Sequence, residues 1–437
     1  MYWWLARFFR FLVGRLYRLE ILGQPVPADG PLILVGNHPN GLMDPALMLQ
    51  VSDRELRFLA KEPLFRMPVL GSIIKGMRAL PIYRAQDGHA TDANQRTFMA
   101  VHAALANGNA IVVFPEGKSH NESSTQRLKT GAARMALGTE PGATGDVRIV
   151  PIGFNYADKA RFRSSVALVV GEPIEVSEFR TEGGAEDRDA VNALTDRVGR
   201  DLQRVTIQLE DWEELPLLRV AERVWNPAPK RARGHRLAVL SHAAKRLRSE
   251  DPDRFKTLRK RVEDLAETLD RVGVPTSRLG TQYTRWKIAA FVLRNALLAL
   301  LGLPLGALAI VTWAIPVGLC KLTVVLGKPT PDVVTTFQGL GALVFFPLWH
   351  LAVTLIAAAQ LGWTWAVALA VLWPVLSWTG WLLWERHRLA YRDALVFGRM
   401  AFSARRRRYL QIRRDLIADE FREIADRWRS ESAGTAV

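Results

Sequence analysis

His38 and Asp44 stand six positions apart in the stretch Asn37-His38-Pro39-Asn40-Gly41-Leu42-Met43-Asp44-Pro45. An imidazole and a carboxylate are the two groups needed to take a proton from a hydroxyl. The histidine serves as base, and the carboxylate fixes its tautomer and stabilises the imidazolium that forms. The stretch follows the apolar run Leu32-Ile33-Leu34-Val35. A short apolar run closed by a Gly/Asn/Pro-rich turn reads as a buried strand that delivers its next residues to a sheet edge, where substrate sites often lie. A histidine beside a turn is also a common structural hydrogen-bonding group, so the pair alone does not establish catalysis.

A second block closes another apolar run: Ala110-Ile111-Val112-Val113-Phe114-Pro115-Glu116-Gly117-Lys118-Ser119. Together the two blocks resemble the glycerolipid acyltransferase family, the lysophospholipid and glycerol-phosphate acyltransferases, whose signature is Asn-His with a nearby Asp and later Phe-Pro-Glu-Gly. Two further blocks of that family stand in the same order. Pro81-Ile82-Tyr83-Arg84 lies where the family has an apolar strand ending in Arg, and Val150-Pro151-Ile152-Gly153 follows the second block. Most members place four residues between the His and the Asp, whereas this chain has five. The longer spacing is similar to that of the subgroup with fungal glycerol-3-phosphate acyltransferases.

The resemblance implies roles residue by residue. His38 is the expected base and Asp44 its partner. Arg84 is expected to bind the acceptor phosphate, for which a bidentate guanidinium is well shaped. Without the family order it would read as a surface Arg at a strand end. Glu116 is expected to accept hydrogen bonds from glycerol hydroxyls, and Gly117 to allow close backbone approach. The family usually continues with Thr-Arg, and here Lys118 and Ser119 stand instead; Lys118 is the replacement cation, and Lys129 matches a further basic position. No nucleophilic Ser or Cys motif is present, so direct attack by the acceptor hydroxyl is expected rather than an acyl-enzyme. No cofactor is expected beyond the acyl-CoA or acyl carrier protein that serves as co-substrate. His120 invites a metal or second-base reading, but no His/Cys/Asp/Glu cluster has ligand spacing, so no metal is expected.

These residues need a scaffold, and residues 25–215 read as one. Apolar runs predict strands over 32–35, 56–60, 79–83, 110–114, 148–154 and 166–170. Helical patterns fit 44–51, 92–107, 131–136 and 189–211. Such alternation predicts an α/β acyltransferase domain with a mainly parallel sheet covered by helices. Residues 1–24 read as an amphipathic interfacial helix, with Leu5, Phe8, Phe9, Leu12, Val13 and Leu16 on one side and Arg7, Arg10, Arg15 and Arg18 on the other. The four arginines also interrupt it as a signal peptide.

The rest of the chain is of a different kind. Of 437 residues 49% are hydrophobic, with 14 Trp, which is high for a soluble protein and predicts a membrane region. The single cysteine, Cys320, excludes an intramolecular disulfide. The net charge of +16 suggests nucleic acid only until it is located. The block 25–215 is slightly acidic, and the surplus of Lys and Arg flanks the apolar segments, as contact with anionic headgroups and the positive-inside bias require. No nucleic-acid partner is expected. Residues 216–287 read as a basic helical linker broken at Asn226-Pro227-Ala228-Pro229, residues 288–385 as a transmembrane helical region, and 386–437 as a basic cytoplasmic helical tail. Within the membrane region, 333–361 and 363–384 each suffice to span a bilayer core, which takes about 20 helical residues. Basic runs at both ends of the region put both on the cytoplasmic side, so 288–326 is expected to be a short hairpin turning at Gly302–Gly306 or to lie in the membrane without crossing.

The chain is thus expected to be an integral membrane enzyme with its catalytic domain on the cytoplasmic face. Its expected reaction is transfer of a fatty acyl group to glycerol-3-phosphate or lysophosphatidate. The alternatives are another lipid acceptor, either a lysophospholipid or an amino-lipid, and an inactive membrane scaffold of the same fold.

Overall fold

The computed structural model describes residues 1–83, 91–142, 145–226, 233–272, 285–401 and 404–434. The chain divides into two compact units. One holds residues 1–218, 229–250 and 330–335, and the other the remaining helices.

The first unit is built on one sheet. Its strands are β1 (Arg18–Gly23), β2 (Leu32–Gly36), β3 (Leu56–Lys61), β4 (Leu80–Ile82), β5 (Ala110–Val113), β6 (Arg148–Tyr156), β7 (Ser165–Val170) and β8 (Ile174–Glu175). The order is β1-β7-β6-β2-β5-β3-β4, with β8 beside β6. All pairings are parallel except β6 with β7 and with β8. The mainly parallel α/β arrangement expected from the alternation of elements is therefore present. Its central strands β2 and β5 are buried along their whole length, which is why they read as unbroken apolar runs rather than as alternating ones.

Helices α2 (Met43–Met48), α3 (Leu70–Gly76), α4 (Thr91–Ala106), α5 (Gly131–Leu137) and α6 (Arg188–Val205) connect these strands or follow them. One apolar cluster lies under α1 (Tyr2–Leu16) and α2 and joins Leu32, Leu34, Val112 and Ile152. A second lies under α4, α5 and α6 and joins Ile33, Val35, Ile111 and Ile149. Successive β2 residues alternate between the two, so both faces of the sheet are covered. Asp187 caps α6 by accepting from the amides of Asp189 and Ala190 at 2.9 and 3.1 Å.

The N-terminal stretch differs from the single interfacial helix expected over 1–24. The helix stops at Leu16, and Arg18–Gly23 forms the edge strand β1 beside β7. Tyr2, Ala6 and Val13 are buried in the core, with Leu5, Phe9 and Leu16 packed against it. Phe8 lies with Trp3, Trp4 and Phe11 on the exposed side. Arg10 is not part of a free basic face, since its guanidinium donates to Leu49 O at 2.7 Å and pairs with Asp53 at 2.9 Å. Tyr2 Oη accepts from the Leu56 amide at 2.7 Å, which ties the start of the helix to β3.

After α7 (Glu214–Trp225), helix α8 (Arg233–Glu250) is counted with the first unit. Leu237 and Leu240 pack with Leu209 and Leu218, and His242 Nε2 meets Thr206 O at 3.2 Å.

The second unit contains α9 (Pro252–Val272), α10 (Arg285–Gly327), α11 (Val334–Leu361), α12 (Trp363–Ala401) and α13 (Ala404–Gly434). Gly302–Gly327, Val334–Leu361 and Trp363–His387 are each long and apolar enough to cross a membrane, as a membrane protein requires. The hairpin expected at Gly302–Gly306 does not form, because α10 runs through it unbroken with Pro304 inside. These glycines are packing positions. Side chains added there would lie 3.1 Å from Leu383 and Trp384 of α12, and one added at Gly380 would meet Leu305 O at 2.3 Å. With Trp313 also facing Trp373, α10 and α12 pass antiparallel and close, as small residues permit inside a bilayer.

Candidate active site

Strands β2 and β5 are parallel neighbours, with Val35 opposite Val113. The residues that follow each strand therefore emerge side by side at the carboxyl edge of the sheet, and the two sequence blocks meet there. His38 comes two residues after β2. Asn37 holds the exit of that strand against β6, accepting from the Phe154 amide at 2.7 Å and donating to Phe154 O at 3.3 Å.

The chain then turns into α2, whose first turn carries Asp44 back toward His38. His38 Nδ1 lies 2.9 Å from Asp44 Oδ2. With the proton on Nδ1 held by the carboxylate, Nε2 is the nitrogen left for a substrate proton. The ring is set by Phe114, which stacks on it at 4.1 Å and 16°. Asp44 has no exposed side-chain surface, whereas His38 keeps 16%.

A buried carboxylate must be hydrogen-bonded, and Asp44 is. Besides His38, the Asn40 amide donates to Oδ2 at 2.7 Å and Tyr156 Oη to Oδ1 at 2.5 Å. Tyr156 ends the buried strand β6. Asn40 in turn donates through its side chain to Tyr17 Oη at 3.1 Å, and Tyr17 donates to Lys159 O at 2.9 Å. Burial pushes both phenols well above the ordinary tyrosine value, so each keeps its proton and remains a donor. Tyr17, Asn40 and Tyr156 were not singled out from the sequence.

Glu116 joins the blocks. Its Oε2 accepts from the backbone amide of His38 at 2.9 Å, and its Oε1 from the Gln126 amide at 3.2 Å. His120 Nε2 lies 2.7 Å from Oε2, and the His120 amide donates to His38 O at 3.1 Å. The Glu122 amide donates to His120 Nδ1 at 3.2 Å, so a neutral His120 carries its proton on Nε2. The Glu116 side chain has no exposed surface. As placed, it is a brace between motifs rather than a group open to a glycerol hydroxyl. His120 belongs to that brace. Among the described residues no group of three His, Cys, Asp or Glu side chains is placed to hold a metal ion.

Gly117 has φ +76°, and a Cβ there would lie 2.7 Å from Lys129 Nζ. The glycine thus admits the ammonium of Lys129 directly over the backbone, while the Lys129 amide donates to Pro115 O at 2.8 Å. Lys118 is exposed. Of the expected cations, Lys118 and Lys129 therefore flank the block that follows β5. Strand β4 ends at the same edge of the sheet, being parallel to β3, and Arg84 beyond it lies outside the described residues.

The arrangement can do one thing well: accept a proton from a bound hydroxyl at His38 Nε2 while Asp44 steadies the charge, beside a cationic flank suited to an anionic group. Comparison with known proteins identifies the kind of domain that carries these residues. The Acyltransferase family profile matches residues 18–155. Glycerol-3-phosphate O-acyltransferase 1 of Saccharomyces cerevisiae is 37% identical over 125 residues, which are 28% of this chain and 16% of the yeast protein. Glycerol-3-phosphate O-acyltransferase 2 of the same yeast is 32% identical over 188 residues, 41% of this chain and 25% of that protein. The chain thus spans a quarter or less of the length of these two relatives. A 1-acyl-sn-glycerol-3-phosphate acyltransferase of Bacillus subtilis is 22% identical over 190 residues, 43% of this chain and 87% of that protein. The domain that carries this site is an acyltransferase domain of the glycerolipid acyltransferase family.

Proposed function

We propose that the protein transfers a fatty acyl group from the thioester of acyl-CoA or acyl carrier protein to a hydroxyl of glycerol-3-phosphate or lysophosphatidate. The observation that carries this reading is the 2.9 Å contact of His38 Nδ1 with the buried Asp44, which leaves Nε2 for the substrate. The acceptor hydroxyl loses its proton to Nε2 as its oxygen attacks the thioester carbonyl. Collapse of the tetrahedral adduct breaks the carbon–sulfur bond, and the leaving thiolate takes the proton back from the imidazolium. Bases of this kind contribute roughly 100 to 10,000-fold to rate. Lys118, Lys129 and Arg84 supply the positive field for the acceptor phosphate. The family resemblance and the relatives named glycerol-3-phosphate O-acyltransferase support this choice of acceptor.

The basic segment 216–287 ahead of the first apolar helix supports a catalytic domain on the cytoplasmic face, although three crossings would put the basic tail on the other side. The exposed Trp3, Trp4, Phe8 and Phe11 of α1 supply an apolar surface that would enter the interface of the same membrane, where lipid acceptors reside.

The test is product analysis with the purified full-length protein in lipid nanodiscs. Labelled acyl-CoA and acyl carrier protein are each offered with glycerol-3-phosphate, lysophosphatidate, lysophosphatidylcholine, lysophosphatidylethanolamine and an amino-lipid. Acylation of the first two is expected. Preference for an acceptor without a phosphate monoester would replace the acceptor assignment, and no turnover with any acceptor would favour the inactive scaffold.

A further inference from the structure

The segment Thr330–Thr335 lies in the chain between α10 and the first turn of α11, yet it forms part of the catalytic unit. Asp332 Oδ2 accepts from Ser119 Oγ at 2.6 Å, and Asp332 is only 7% exposed. Three residues on, Thr335 Oγ1 donates to Lys159 O at 3.1 Å, the same carbonyl that accepts from Tyr17. Lys159 Nζ donates to Pro39 O, 2.9 Å away, in the peptide next to His38. Six residues of chain between two apolar helices thus hold both flanks of the site: the residue two positions past Gly117, and the lysine that fixes the His38 turn.

The electrostatics agree with the geometry. Burial pushes the Asp332 carboxyl up, but hydrogen bonds from Ser119 and Thr330 outweigh it and hold the group below the ordinary value, so it is ionised. Burial lowers Lys159, opposed by the fields of Asp44 and Asp332. The lysine therefore feels the fields of both Asp44 and the connector's carboxylate. Ser119 stands where the family pattern has Arg, and a short hydroxyl at that place is what a carboxylate can hold at 2.6 Å.

We propose that Asp332 is a positioning residue: by holding Ser119 it fixes the Lys118-Ser119 turn in the posture that binds the acceptor, so that the connector between two membrane helices sets acceptor affinity. The proposal rests on the acyl-transfer reading above, but on the acceptor's identity only through Lys118.

The test uses the full-length protein in nanodiscs and whichever acceptor the wild type prefers. Asp332→Ala is expected to raise the acceptor KM about tenfold while kcat changes by less than about threefold and the donor KM stays put, the pattern of lost uniform binding. Asp332→Asn, which can still accept from Ser119, should recover most of the affinity. Ser119→Ala should reproduce the Asp332→Ala shift, and the double variant should be no worse than either single one. A lowered Tm with unchanged acceptor KM would reduce Asp332 to a staple, and additive losses would separate it from Ser119; either result overturns the proposal. Amide exchange over residues 117–121 gives a readout without turnover. Faster exchange there in Asp332→Ala, with β5 and β6 unaltered, is expected. Unchanged exchange would sink the coupling even if the protein acylates nothing, the outcome that separately removes the acyl-transfer reading.

Discussion

The backbone amide of His38 donates to Glu116 Oε2 at 2.9 Å, so the expected base and the carboxylate of the second motif are joined across 78 positions of sequence. This bond ties Glu116 to the backbone that carries the imidazole. Removing the carboxylate strands the amides of His38 and Gln126, each at a cost of about 1 to 3 kcal/mol if water cannot reach it. Glu116→Ala is therefore expected to lower Tm and kcat together. Glu116→Gln keeps one acceptor and should fall between. A variant with normal Tm and kcat but a raised acceptor KM would instead return Glu116 to direct substrate contact.

His38→Ala is expected to reduce kcat roughly 100 to 10,000-fold with little change in Tm, since Asp44 keeps its donors from the Asn40 amide and Tyr156. Asp44→Asn should be similarly damaging by releasing the Nδ1–H tautomer. The two losses should not add in the double variant if the pair works as a unit. Tyr156→Phe removes one of three donors to Asp44 and should cost kcat less than either. Near-normal turnover by His38→Ala would exclude it as the base.

Gly117→Ala should be harmful for two separable reasons. Its φ of +76° is a conformation that costs an L residue roughly 1 to 2 kcal/mol, and the new methyl would lie 2.7 Å from Lys129 Nζ. Lys129→Ala removes the second conflict and keeps the first. If the cation matters, Lys129→Ala alone raises the acceptor KM, and the double variant shows that same KM with the lower Tm. Equal KM values in the wild type and Lys129→Ala would remove Lys129 from the binding site.

The site was legible where chemistry and local pattern coincide. Leu32–Val35 and Ala110–Val113 are unbroken apolar runs because both faces of β2 and β5 are covered, and the motifs at their ends carry polar residues of unusual type. What escaped is long-range or depends on a neighbour. Tyr156 reaches Asp44 from 112 residues away, and Asp332 reaches Ser119 across 213, with no spacing to mark either. Strand β1 was absorbed into the preceding helix because an edge strand with one partner needs only a weak apolar pattern. Gly302 and Gly306 read as a turn, although glycine also serves close helix packing, and α12 decides between the two.

Arg84 carries the acceptor prediction. A charge-assisted contact to a phosphate monoester is worth roughly 1.5 to 3 kcal/mol and is shared by ground and transition states. Arg84→Ala should therefore raise the KM for the phosphorylated acceptor about tenfold or more while the donor KM stays unchanged. Arg84→Lys should recover part, because an ammonium keeps the charge and loses the fork. An unaltered acceptor KM would leave the phosphate to Lys118 and Lys129.

Histidines outside the site predict how the catalytic unit responds to acid. Burial holds His242, His102 and His235 below the ordinary histidine value of 6.5, so the folded protein keeps them neutral where the unfolded chain begins to protonate them. The unfolded state then binds more protons, and stability rises with pH across the window from the lowered folded values up to about 6.5. Read downward, stability should be flat above that window and fall as the pH drops through it. Carboxylates held low, such as Asp187 with its ordinary value of 3.8, lose their contribution only at more acid pH and leave this window to the histidines. Thermal unfolding of the catalytic unit followed from pH 7.5 to 5 should show a declining Tm. The His102→Gln/His242→Gln variant should show a shallower decline, whatever its Tm at neutral pH. Parallel curves for the two proteins would mean that other groups set the acid sensitivity.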